Sequence, residues 1–229
     1  MTAMATPGHP RDAGPIAPAL VAAAAVLGWF ALTLQLLLTA QLTVAQGGSV
    51  LAGVWIYLDY FTILTNLLAA AALTAAAGRA RGAAALFLRL PESTTAITAS
   101  ILIVGITYNL LLRQLWHPVG WQRVADEALH VVMPALFALY WWLTVPEQAL
   151  RVLRLAWWLL YPLGYLLYAL GRGALDTRYP YPFLDVTALG YPRVLLNGGA
   201  VGLAFVIVLL LLLALARWQS RRVPPPQRD

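Results

Sequence analysis

Apolar residues in this chain gather into long runs instead of alternating with polar ones. The runs fall near 16–42, 51–78, 93–115, 125–145, 154–171 and 191–217. A helix needs about 17–25 apolar residues to cross a bilayer. The pattern therefore predicts an all-α, polytopic membrane protein: six transmembrane helices in one bundle, forming a single domain over 1–220. Breaker residues mark the joints: Gln46-Gly47-Gly48-Ser49, Gly78-Arg79, Pro91-Glu92-Ser93-Thr94, His117-Pro118-Val119-Gly120 and Pro146. The segment 221–229, with Pro224-Pro225-Pro226, reads as a disordered tail. A signal peptide has an apolar core of only about 7–15 residues, so the first run is expected to be a retained helix.

Composition narrows the class. The chain has 229 residues, 61% hydrophobic and only 10% charged, against about 25% charged in a soluble domain. That leaves too little charge to cover a water-facing globule, and too much hydrophobicity for disorder. Cysteine is absent, which excludes a thiolate nucleophile, a disulfide framework and Cys-based metal sites.

The formal net charge is +6, and all 15 basic residues are Arg. They sit in short loops, which points to membrane topology and not to nucleic acid. Ten of them (Arg11, Arg79, Arg81, Arg89, Arg151, Arg154, Arg217, Arg221, Arg222, Arg228) share one side; Arg113, Arg123, Arg172, Arg178 and Arg193 share the other. The positive-inside rule then places both termini in the cytoplasm. Trp55, Trp116 and Trp121 fit one interfacial belt, and Trp141, Trp142, Trp157, Trp158 and Trp218 fit the other. Trp29 falls outside both.

Polar groups in hydrocarbon cost several kcal/mol unless partnered, so those inside the spans are informative. Asp59, Thr62, Thr65 and Asn66 lie in the second run, Asn109 in the third, Asp126, Glu127 and His130 in the fourth, and Asn197 in the sixth. On the predicted topology all fall toward the outer leaflet, while the inner halves read as nearly pure Ala, Leu and Val. One outward-facing polar cavity accounts for this. Asp59, Thr62 and Asn66 form a stripe at helical spacing. Either Asp126 or Glu127 is placed to hold His130. Pro134 frees the carbonyl of His130, which predicts a local kink. Structural readings stand beside these: Thr commonly bonds its own i−4 carbonyl, and Asn commonly joins helices. Tyr179-Pro180-Tyr181-Pro182-Phe183-Leu184-Asp185 is expected to be a rigid interfacial turn or a lid whose Asp185 turns inward.

The segments Tyr60-Phe61-Thr62-Ile63-Leu64-Thr65-Asn66, Leu129-His130-Val131-Val132-Met133-Pro134 and Tyr179-Pro180-Tyr181-Pro182-Phe183-Leu184-Asp185 together resemble the androgen-induced membrane protein family. The resemblance is strongest to its bacterial six-helix branch and covers helices two through six. It implies a membrane-embedded hydrolase of fatty acid esters of hydroxy fatty acids, with a threonine nucleophile at Thr62 and an essential histidine at His130. Thr65, followed by Asn66, is the alternative register. The resemblance also implies a bacterial inner membrane location, with the site toward the periplasm.

The chemistry is consistent with these residues. A Thr hydroxyl needs a base, and His130 is the only His inside a predicted span. Asp126, Glu127, Asp59 and Asp185 are candidate orienting acids, and Asn66, Asn109 and Asn197 are candidate oxyanion donors. The expected partner is a membrane lipid or lipid ester, with no nucleic acid, cofactor or metal. One intramembrane His does not make a bis-His haem or a recognisable metal set. The competing function is a non-enzymatic binder or carrier of a lipid or small hydrophobic molecule in the same cavity.

Overall fold

In the computed structural model, residues 16–78, 82–144, 150 and 152–220 are described. The expected tail at 221–229, the stop at Pro146, and Arg11, Arg79, Arg81 and Arg151 lie outside them. Every element among the described residues is helical: α1 (Ile16–Ala45), α2 (Val50–Tyr57), α3 (Phe61–Ala77), α4 (Ala83–Arg89), α5 (Pro91–Thr107), α6 (Gly120–Glu127), α7 (Met133–Thr144), α8 (Val152–Trp157), α9 (Leu160–Asp176) and α10 (Val186–Ser220). A π turn, Tyr108–Leu112, extends α5; another, Ala128–Val132, joins α6 to α7. Four helical stretches are long and apolar enough to cross a membrane: Ala19–Ala45, Pro91–Leu112, Gly120–Thr144 and Val186–Gln219. The pair α2–α3 makes a fifth if it counts as one broken span.

That pair corrects the expectation of a single helix over 51–78. The chain turns through 81° between α2 and α3. A helix end leaves carbonyls without intrahelical partners, a costly state in an apolar setting. Helix α9 supplies the donors. Tyr165 donates to the Asp59 carbonyl at 2.8 Å, Tyr168 to that of Leu58 at 3.2 Å, and Arg172 Nη1 to that of Trp55 at 2.9 Å. The Arg172 guanidinium lies 3.9 Å from the Trp55 ring centroid and 3.5 Å from Asp59 Oδ1. A cation at the α2 C-terminus also complements the helix dipole.

The fifth and sixth runs depart from their expected bounds as well. A turn at Trp158–Leu159 separates α8 from α9, and α10 begins at Val186, with a non-helical residue, Gly190 (φ 72°), two positions before Pro192. Gly tolerates positive φ without steric cost, and Pro cannot continue the hydrogen-bond ladder.

Helix α5 is the buried centre. One cluster packs Ile97, Ile101, Met133 and Phe137 against Leu73 of α3, and another packs Ile103 and Trp141 against Phe205 and Leu209 of α10. Trp141 is thus a core residue, not a belt residue, and its indole donates to Thr95 at 2.9 Å. Trp29, outside both belts, donates to Thr74 across α1 and α3 at 2.9 Å. The expected purely apolar inner half fails on α5. Thr94, Thr95, Thr98 and Ser100 are buried there, each bonding its own i−4 carbonyl.

Candidate active site

The α2–α3 break decides where Thr62 stands. It is the second residue of α3 instead of a mid-span residue, so its backbone N–H is one of the donors a helix start leaves unpaired. That N–H donates to the Tyr181 hydroxyl oxygen at 3.3 Å. The Thr62 side chain, 6% exposed, lies with Oγ1 3.3 Å from His130 Nε2 and 3.4 Å from the Tyr181 hydroxyl.

His130 sits on the π turn that joins α6 and α7, where the sequence predicts a kink. Residue 134 would normally bond the His130 carbonyl; Pro134 cannot. Gly105 of α5 packs against that carbonyl, and a Cβ at Gly105 would lie 3.2 Å from the oxygen. The ring's Nδ1 lies 2.9 Å from the Asp126 carbonyl and 3.2 Å from Asp126 Oδ1. A carbonyl only accepts, so the neutral ring carries its proton on Nδ1. Nε2 then presents a lone pair to Thr62. Tyr108 stacks on the imidazole with centroids 4.0 Å apart and donates its hydroxyl to Asp126 Oδ2. π turns recur at functional sites, and the two among the described residues meet here.

Of the sequence candidates, Thr62, His130, Asp126 and Tyr181 converge. The rest do not. Thr65 hydrogen-bonds Tyr161 at 3.0 Å. Asn66 donates to the carbonyls of Thr62 at 2.9 Å and Leu129 at 3.2 Å, tying α3 to the π turn beside His130. Asn109 bonds its own helix at Gly105. Glu127 pairs with Arg113. Asp59 faces Arg172. Asn66 thus spends both amide protons on backbone carbonyls, Asn109 and Asn197 spend one each, and none of the three lines the cavities beside Thr62.

The 177–185 loop is packed against its neighbours. Tyr179 covers Gly173, where a Cβ would meet the ring at 2.1 Å. Tyr181 and Phe183 stack at 5.2 Å, and Asn197 donates to the Phe183 carbonyl at 2.9 Å. Asp185 does not turn inward. It caps α10, accepting from Thr187 N at 2.9 Å and Ala188 N at 3.1 Å, and these bonds with the Thr187 hydroxyl hold its carboxyl below the usual range. Burial pushes the Tyr181 phenol up to about 12, against the lowering bonds from Thr62, so it stands as a neutral donor.

Tyr108 is the site residue that sequence reasoning missed. Its signal was a phenol inside a span, which needs a partner as a carboxylate does.

Thr62, His130, Tyr108, Leu112 and Tyr181 line both of two cavities, of about 480 and 450 Å³. They form the wall between them. No three His, Asp or Glu side chains among the described residues gather as metal ligands. Comparison with known proteins matches no family model, no curated protein and no solved structure.

Proposed function

We propose that the chain is an integral membrane hydrolase of lipid esters that acts through a Thr62 acyl-enzyme. The reading rests on one observation: Thr62 Oγ1 is 3.3 Å from a His130 nitrogen whose ring is oriented from its other side by Asp126. A nucleophile, a base and an orienting acid in this order fit acyl transfer. The Thr62 proton passes to Nε2 as Oγ1 attacks the ester carbon. The C–O bond to the alcohol then breaks, and the same proton goes to the departing oxygen. Water reverses the sequence, giving its proton to His130 and releasing the acid. The Thr62 N–H and the Tyr181 hydroxyl flank the position where the oxyanion develops, at the positive end of α3.

The motifs that resemble the androgen-induced membrane protein family contribute Thr62, His130 and Tyr181 to this cluster, which supports placing the chain in the bacterial six-helix branch. Six crossings follow if α2–α3 crosses as one broken span and the 17-residue α9, at the lower end of spanning length, is the fifth. Both termini then face the cytoplasm, and the site faces the periplasmic side of the inner membrane.

The test is active-site labelling of purified protein with a fluorophosphonate. Thr62→Ala and His130→Ala abolish labelling, Thr65→Ala retains it, and the adduct maps to Thr62. Equal labelling of all three variants rejects the assignment. Ligand retention without turnover, unchanged in Thr62→Ala, assigns the chain as a carrier instead.

A further inference from the structure

The two cavities that share the Thr62–His130 wall differ in chemistry. The larger is walled by Phe, Leu, Ile and Val side chains and by a row of glycines, Gly198, Gly199 and Gly202, on α10. From Leu195 to Val206 it follows α10 for about 16 Å, away from the loops. Leu163 of α9 and Leu195 of α10, both more than half exposed, stand on its walls. The smaller cavity runs beside α1 from Gln35 to Gln46 and sets Gln35, Thr39, Gln46, Gln122, Asp126 and Arg178 among apolar walls such as Leu38, Leu42 and Ile56. Gln122 and Gln35 hydrogen-bond each other there at 2.8 Å.

We infer that the ester is bound in one orientation: a plain hydrocarbon acyl chain lies in the cavity along α10, and an alcohol bearing further hydrogen-bonding groups lies in the one along α1. This rests on the hydrolase reading. Polarity is the first argument, since a hydroxylated alcohol among the leucines would leave polar groups unpaired. Proton traffic is the second. The departing alcohol must take its proton from His130, and the water that follows must give one to it. Asp126, the acid behind His130, lines only the cavity along α1. When the alcohol leaves, the polar cavity fills with water next to the base while the acyl chain stays in the dry one.

The glycine row then measures acyl length. A Cβ at Gly199 or Gly202 meets nothing within 4 Å, so a larger side chain at either position projects into free space. Gly199 lies about 4.5 Å nearer the loop end than Gly202 along α10, so blocking it cuts the cavity shorter.

The experiment uses purified full-length protein. It compares kcat/KM for 4-nitrophenyl butyrate, octanoate and palmitate, and for monopalmitoylglycerol against ethyl palmitate. With Gly202→Leu the palmitate-to-butyrate ratio falls by about tenfold or more, as a few blocked methylenes allow. Gly199→Leu also loses octanoate. Neither changes the glyceryl-to-ethyl ratio by more than about twofold, within an ordinary surface-like effect. Gln122→Leu lowers the glyceryl-to-ethyl ratio by about fivefold, the effect of one lost hydrogen bond, and leaves the chain-length ratio in place. Crossed effects, a reversed order of the two glycine variants, or no movement in either ratio for variants that elute as wild type overturn the orientation and leave the hydrolase reading standing. A wild-type protein that neither hydrolyses these esters nor labels at Thr62 overturns the hydrolase reading, and the orientation with it.

Discussion

His130 is held by three contacts, and each has a separate consequence. The Asp126 carbonyl fixes the tautomer, the Asp126 carboxylate faces the imidazolium that forms during turnover, and Tyr108 covers one ring face. Asp126→Asn keeps the carbonyl and so keeps the tautomer. It removes the carboxylate charge opposite Nδ1, about 1.5–3 kcal/mol, while the amide oxygen can still accept from Tyr108, and kcat is expected to fall roughly 10- to 100-fold with KM little changed, read from steady-state kinetics. Tyr181→Phe removes an oxyanion donor and should lower kcat by about 10²–10³. The Tyr181 phenol is pushed up to about 12 by burial, whereas an unfolded tyrosine ionises near 10. The folded chain therefore keeps a proton that the unfolded chain loses between about pH 10 and 12, and stability falls as pH rises through that window. An ultraviolet titration of wild type minus Tyr181→Phe should show no Tyr181 ionisation below about pH 11. At this scale His130 was readable as the single imidazole inside an apolar run, whereas Thr62 was singled out by the family resemblance and not by its residue type. The asparagine roles were not readable, because an amide that binds a carbonyl and an amide that awaits a ligand have the same residue type.

At the scale of elements, the break between α2 and α3 turns a buried threonine into a helix-start residue whose N–H lies outside the helix ladder and is given to Tyr181. Asp59 was visible in the sequence, but the break depends on groups far along the chain. Tyr165, Tyr168 and Arg172 of α9 bind the carbonyls it exposes, and no local pattern at 51–78 announces them. The π turn at His130 was more legible, since Pro134 removes a donor at a known offset. Arg172 and Asp59 are 4% and 1% exposed, and removing one partner of a buried ion pair costs about 3–5 kcal/mol. Arg172→Ala should therefore lower the melting temperature in detergent substantially. It should also slow labelling of Thr62, because the start of α3 loses its support. Arg172→Lys, which keeps the charge but not the planar contact with Trp55, should recover only part of both.

For the whole molecule, the hydrophobic runs carry the helical class, but the number of crossings turns on the bent pair. A broken span delivers the chain to the far side of the membrane; a re-entrant pair returns it to the same side. The Arg pattern does not separate the two, because everything after α3 flips together: either way Arg89 and Arg154 share one face and Arg113, Arg123 and Arg178 the other. The chain contains no cysteine, so single-cysteine variants report position without background. Val50 and Val119 are exposed, as is Ala83, and together they bracket α2–α3 and then α5. In right-side-out membranes an impermeant maleimide should modify Val50→Cys and Val119→Cys, and Ala83→Cys only after inversion or permeabilisation. Labelling of Val50→Cys and Ala83→Cys from the same face would make α2–α3 re-entrant. Thr62 would then stand at the tip of a half-helix, the crossing number would be odd, and the two ends of the bundle would face opposite compartments.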